Sequence, residues 1–120
     1  MATLTTQLTL NSTTATTDNL NMSVTDTLTF ANDVVQKRMA TSTSAAVFLA
    51  ASDYGKSYVF LKNLSTVAAE RIDIRATTGG TDIIQLGAGE FCFIPWAGAH
   101  DLAYDAASGT PVLEILLFEV

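Results

Sequence analysis

Few residues in this chain have types suited to chemistry. His100 is the sole histidine and stands next to Asp101. A histidine beside an aspartate suggests a fragment of a hydrolase triad, in which a carboxylate orients the imidazole that activates a nucleophile. Here the two are chain neighbours, so along an extended backbone their side chains point apart, and no Gly-x-Ser-x-Gly context is present. His100 is therefore expected to be a loop histidine. Cys92, the only cysteine, lies between Phe91 and Phe93. In a core strand a thiol behaves as a small hydrophobe, and burial without a cationic neighbour disfavours the thiolate. Asp101, Asp105 and Glu90 could offer oxygens to a calcium ion, but they lack the dense Asp/Asn/Gly spacing of a calcium loop, and a solvated acidic rim is expected. Gly87-Ala88-Gly89 looks like a phosphate cradle only in isolation, since no helix and no Lys-Ser/Thr follow it. Trp96, with Tyr54, Tyr58 and Tyr104, could stack on a sugar ring, although one tryptophan next to a proline is more often a cap on a core. No catalytic residue, cofactor or metal site is expected, and the chain reads as a non-enzyme.

Composition narrows the partners. The 120 residues are one domain's worth. Hydrophobic residues make up 48% and charged residues only 15%, against a usual charged share of about 25%. So few charges leave a monomer little to keep its outside wet. The net charge of −6 and the dispersed Lys and Arg argue against binding nucleic acid through phosphate neutralisation. A lone cysteine excludes an internal disulfide and a thiolate-rich metal site. The opening MATLTTQLTL lacks a basic region followed by an apolar one, and no apolar run approaches the ~20 residues that span a bilayer. No membrane role is expected, and synthesis in a cytoplasm is. The sequons at Asn11, Asn21 and Asn63 read as by-products of a Thr-rich composition.

The elements that must position these residues read as strands. Thirteen of the first 45 residues are threonine. Residues 1–18 hold only Leu4, Leu8 and Leu10 as large apolar groups, too little to fold independently. They are expected to form an extended arm that lies on something else, with residues 19–120 as the folded domain. From Leu20 to Phe30 apolar and polar residues alternate, which predicts a long strand with one buried face, bent or bulged at Asp26. Asn32-Asp33 signals a turn. Val34 to Met39 reads as a strand in preference to a helical turn. Strands follow at Val47–Leu49 and Tyr58–Leu61, separated by a turn at Asp53–Lys56 in which Gly55 is free to take positive φ. A loop over Ser65–Glu70, with room for one helical turn, leads to Arg71–Ala76, a strand with one charged face.

Thr78-Gly79-Gly80-Thr81 then turns the chain into Asp82–Trp96, DIIQLGAGEFCFIPW, around which the remainder is organised. Two apolar runs flank a glycine-rich reversal and predict two core strands joined as a hairpin, ending at Pro95. A short strand at Leu102 and Tyr104 and a last one over Val112–Val120 complete eight or nine. The predicted class is all-β, an antiparallel sandwich of jelly-roll type.

Three of these strands are apolar on both faces: Val112–Val120, Phe91–Ile94 and Tyr58–Leu61. A two-layer antiparallel sandwich needs one apolar face per strand. Exposing the second faces would exceed the few hundred Å² of apolar patch that soluble monomers carry. The arm, a long loop or neighbouring subunits must cover them. An oligomer or a shell subunit is the favoured answer, and a closed barrel covered by its own loops is the alternative.

The segments YVFLKNLS at Tyr58–Ser65, IDI at Ile72–Ile74, IIQLGAGEFCFIPW at Ile83–Trp96 and LEILLFE at Leu113–Glu119 together resemble small virion proteins of tailed bacteriophages. In those proteins a strand ending in Lys-Asn is followed by a Leu-x-x-Gly-Glu-Phe reversal, a loop and a closing strand. The Thr-rich opening is similar to the start of head-associated proteins in phages of aquatic bacteria. The resemblance implies a β-sandwich on the capsid surface that decorates, or cements, the shell. Its partners would be the major capsid protein and further copies of itself, as a trimer or dimer. Leu4, Leu8, Leu10, Trp96, Phe118 and Val120 are the expected assembly residues. The alternative is a tail or fibre module that binds a host-surface glycan through Trp96. The family carries no catalytic residues to transfer.

Overall fold

A computed structural model describes residues 1–14, 17, 19–31 and 33–120. Among these the regular elements are all β-strands, as the alternating patterns predict, and they form antiparallel sheets. The chain divides into two units, Met1–Asn32 and Asp33–Val120.

The first unit is a two-stranded ribbon. Strands β1 (Ala2–Ser12) and β2 (Leu20–Phe30) pair antiparallel in one unbroken register, from Ala2 opposite Phe30 to Ser12 opposite Leu20. Opposed residues share a face. One face therefore carries Leu4/Leu28, Leu8/Val24 and Leu10/Met22, while the other carries Thr3/Thr29, Thr5/Thr27, Gln7/Thr25, Thr9/Ser23 and Asn11/Asn21. The anticipated bulge at Asp26 does not form. Asp26 stays in the ladder opposite Thr6 because its carboxylate accepts the next backbone N–H, from Thr27, at 2.8 Å. The buried face expected of β2 is largely open, with Leu20, Met22 and Val24 exposed. The expected arm is paired as far as Ser12. Its predicted end at residue 18, with residues 15 and 16, lies outside the described residues, as does Asn32 of the predicted turn.

The second unit is a two-sheet sandwich. Its strands are β3 (Val34–Ala40), β4 (Ala46–Leu49), β5 (Ser57–Asn63), β6 (Ile72–Arg75), β7 (Asp82–Leu86), β8 (Phe91–Trp96), β9 (Leu102–Ala106) and β10 (Val112–Glu119). One sheet has the order β3-β10-β5-β8 and the other β4-β9-β6-β7. Between them lies a single core. Leu113, Ile115 and Leu117 of β10, Val59 and Leu61 of β5, and Ile72 and Ile74 of β6 are fully buried. Each such side chain stabilises the fold by roughly 1.5–3 kcal/mol. Strand β3 runs along an edge, and between its core residues Val35 and Met39 it places Lys37, whose Nζ donates to the Phe48 carbonyl at 3.1 Å. A charge at that position discourages edge-to-edge pairing.

Strands β6 and β7 pair directly, joined by the predicted Thr-Gly-Gly-Thr turn. The other connections from β3 to β10 each carry the chain from one sheet to the other. This corrects the expected hairpin over Asp82–Trp96: β7 and β8 belong to different sheets, and Gly87–Glu90 is the crossing between them. Asn63, fully buried at the end of β5, explains the outcome. Its backbone N–H donates to Glu90 O and its carbonyl accepts from Gly89 N, each at 3.0 Å. Its side-chain amide donates to Leu86 O at 3.0 Å and Glu70 O at 2.7 Å, while its Oδ1 accepts from Ser65 N at 3.0 Å. The last residue of β7 and the residues leading into β8 are thus tied to one asparagine, and Gly89, at φ 77°, supplies the left-handed step.

Two smaller expectations also change. The left-handed residue of the β4–β5 turn is Ser52, at φ 71°, and not Gly55. The Ser65–Glu70 loop contains no helix; it is closed by Glu70 N donating to Val67 O and by the Ser65 hydroxyl, which donates to the Glu70 carboxylate and accepts the Val67 N–H. Asn63→Ala strips three partners of their hydrogen bonds at a buried position, so it is expected to lower the unfolding free energy by about 2–4 kcal/mol. Equilibrium urea unfolding measures this, and a loss under about 0.5 kcal/mol, the level of an ordinary surface change, contradicts the pinned crossing.

Candidate interaction surface

The structure does not bring the chemically suited residues together. Asp101 accepts the Ala51 N–H at 2.6 Å, Asp105 is ion-paired to Arg75, and Glu90 accepts the Gly87 N–H at 2.7 Å. Each carboxylate is committed to a structural partner, local for Glu90 and on another segment for Asp101 and Asp105, and no group of three potential metal ligands exists among the described residues. The Gly87 amide that a phosphate would need is already occupied by Glu90. His100 lies in the loop after β8, where its backbone carbonyl accepts the Trp96 Nε1–H at 3.1 Å. Cys92 faces the core, and burial raises its thiol pKa above the ordinary value, partly offset by a backbone hydrogen bond from Leu61.

What stands out is the difference between the two sheet exteriors. Strands β10, β5 and β8, the three read as apolar on both faces, turn out to be neighbours in one sheet. Their second faces therefore merge. The registers place Val34, Phe118, Tyr58 and Pro95 in one row across the sheet, and Gln36, Leu116, Phe60 and Phe93 in the next. A third row, Arg38, Glu114, Lys62 and Phe91, borders them. Tyr58 stacks on Phe93 with centroids 6.1 Å apart, Phe60 meets Phe91 at 6.0 Å, and the Lys56 ammonium sits 5.7 Å from the Tyr58 centroid. Such ring pairs contribute about 0.5–1.5 kcal/mol each and hold the plate in one shape. Phe91 nonetheless remains 60% exposed and Val34 45%.

The exterior of β4-β9-β6-β7 is built oppositely. Arg71 grips Asp73 with two bonds of 2.8 and 3.0 Å, and Arg75 bridges Asp82 and Asp105. Asp73 and Asp105 stand directly opposed on β6 and β9, and these arginines relieve their repulsion. Hydrogen bonds to Asp73 and Asp82 raise the two guanidinium pKa values further, so both arginines stay charged. The exposed apolar residues of this sheet, Val47 and Ile83, lie on opposite edge strands. The charged face expected for Arg71–Arg75 is present; Arg71 is exposed, whereas Asp73 is buried beneath its ion pair.

Comparison with protein-family models, curated proteins and solved structures returns no match. The surface must therefore be read from its own geometry.

Of the expected assembly residues, Leu4, Leu8 and Leu10 lie on the apolar face of the ribbon, with Leu8 and Leu10 exposed. Phe118 is half-buried in the aromatic rows, and Val120, just past β10, is exposed while its N–H holds Lys56 O at 2.8 Å. Trp96 is different: at 7% exposure it belongs to the core. It offers a ring face neither to a subunit nor to a sugar, as the core-cap expectation has it. Tyr104 is also buried in the core, and Tyr58 lies on the far side of its sheet, so the aromatic cluster imagined for a glycan is not assembled. The residues absent from the expected set are Tyr58, Phe60, Phe91, Phe93 and Leu116. Their two-sided strand pattern signalled them, but their adjacency depends on strand order.

The thiol gives a direct test of the core placement. Because the fold favours the neutral thiol, this contribution to stability is complete below the ordinary cysteine pKa and is lost as pH rises through the raised value. Iodoacetamide at neutral pH is expected to alkylate native Cys92 slower than the urea-unfolded chain by about tenfold or more. Equal rates contradict the placement.

Proposed function

We propose that this protein is a structural assembly subunit, a decoration (cement) protein of a tailed-bacteriophage shell whose partners are the major capsid protein and further copies of itself. The observation that carries this reading is the contrast between the sandwich's exteriors. One is lined by ion pairs, and the other is an aromatic plate on which Phe91, Phe93 and Val34 remain exposed. The likeness of the Tyr58–Ser65 and Ile83–Trp96 segments to small virion proteins supports the specific class. The sheet orders β3-β10-β5-β8 and β4-β9-β6-β7 support the jelly-roll reading of the sandwich. The ribbon supports a bridging role, since a lone two-stranded hairpin is marginal in water and gains by lying on another surface.

The mechanism is mechanical. Burying the plate and the ribbon against neighbouring subunits adds apolar contact across subunit boundaries, and this resists the outward force of packaged DNA. No bond is made or broken, and no ligand is consumed.

Phe91→Ser combined with Phe93→Ser changes exposed rings of the plate and leaves the buried core intact. The variant is expected to keep the wild-type melting temperature within a few degrees, to lose self-association in sedimentation velocity, and to bind shells of the source virus less. Removal of residues 1–32 is expected to leave a folded sandwich that no longer occupies those shells. A wild-type chain that sediments as one copy and labels no shell overturns the proposal.

A further inference from the structure

The ribbon and the aromatic plate carry opposite charge at matching positions. On the apolar face of the ribbon the single charged residue is Asp26, with the Leu8/Val24 rung on one side and the Leu4/Leu28 rung on the other. It makes no ion pair among the described residues, its Oδ1 holding only a backbone N–H. On the plate, Arg38 and Glu114 neutralise one another at 2.8 Å, which leaves Lys62 in that border row without a carboxylate partner among the described residues.

The rungs also match in spacing. Same-face positions on any strand repeat every ~6.7 Å, so two such surfaces can keep step over several rungs. With Asp26 set against Lys62 and the ribbon tip directed across the aromatic rows, Leu8/Val24 falls over the row of Phe60 and Leu10/Met22 over the row of Tyr58. The opposite direction would offer Leu4 and Leu28, which are already half-buried, whereas Leu8, Leu10, Met22 and Val24 are 40–52% exposed. From the Asp26 rung to its tip the ribbon is ~24 by ~10 Å and presents roughly 240 Å² on one face. When each copy donates one ribbon and receives one, the covered surface is about 480 Å² per partner, the size of a weak or transient interface.

We propose that the apolar face of β1-β2 in one copy packs on the outer face of β3-β10-β5-β8 in a second copy, with Asp26 of the first paired to Lys62 of the second. This rests on the assembly reading above and names the surface and register by which copies meet. Donating and receiving once per copy closes as a dimer or a trimer.

Sedimentation velocity on the full chain tests it. Asp26→Lys and Lys62→Asp are each expected to weaken self-association by about tenfold or more, and the double variant to restore most of the loss. Both positions lie outside the core, and circular dichroism checks that each variant is folded. Mixing Asp26→Cys chains with Lys62→Cys chains, both carrying Cys92→Ser, is expected to give a disulfide-linked pair under mild oxidation. A wild-type oligomer indifferent to both single changes, a double variant no better than either, or no cross-linked pair overturns the proposed register and leaves the assembly reading in place. A wild-type chain that stays monomeric overturns the proposed contact between copies, and one that also labels no shell overturns the assembly reading with it.

Discussion

A strand has two faces, and a two-layer sandwich uses only one of them. That constraint governs this molecule. The inner faces of both sheets centre on Leu, Ile and Val at zero exposure, with Phe48, Trp96 and Tyr104 packed around them. The outer faces are free to vary, and here they differ sharply: arginine–aspartate pairs on one sheet, stacked and tilted rings on the other. Surface ion pairs of this kind add little to stability, but they keep a face wet and unattractive to apolar partners. The aromatic sheet has no such protection beyond its border row. Arg71, Asp73, Arg75, Asp82 and Asp105 meet on the first exterior, while the second holds Arg38, Glu114 and Lys62 in a single row.

The second constraint is how the chain gets from one sheet to the other. Stacked sheets lie ~10 Å apart, and most connections here make that passage. Each crossing must satisfy backbone groups that a hairpin would pair automatically. Between β7 and β8 the task falls to Asn63, whose backbone and side chain together take up five hydrogen bonds. Its amide is engaged and buried, so the sequon at this position is not a glycan acceptor in the folded chain. Between β4 and β5, and again after β8, Asp101 and the Gly98 carbonyl do similar work by holding the N–H groups of Ala51 and Ser52. The residues that looked suited to chemistry are largely consumed in this way. Glu90, Asp101 and the His100 carbonyl are structural partners of turns and of the core tryptophan.

The ribbon shows the same two-faced logic without a second layer. Its polar face is Thr, Asn, Ser and Gln throughout and uncharged, while its apolar face is interrupted by Asp26 and Thr6 at mid-length and by Ser12 at the tip. A surface that needed only to be wet would not carry leucine, valine and methionine in register over several rungs. Asp26 costs apolar area in the middle of that face. A charge there sets a direction and a register for whatever lies on it, which a uniform greasy strip could not do.

What the sequence determined by itself was local. Period-two alternation marked β2 and β6, and short apolar runs bounded by turn residues marked most of the other sandwich strands, because both signals depend only on neighbouring residues. Glycine, proline and asparagine marked where strands end, again through local backbone preference. The apolar excess on both faces of β5, β8 and β10 was legible for the same reason. Tertiary structure decided which strands meet. A Gly-Ala-Gly-Glu reversal is compatible with a hairpin and with a crossing between sheets, and a residue 24 positions earlier than Gly87, Asn63, selects the crossing. Strand order placed three two-sided strands side by side and merged their outer faces into one plate. It also drew Trp96 into the core and gave β1 a partner in β2. Such pairings are contacts between residues distant along the chain, and no short stretch of sequence contains them.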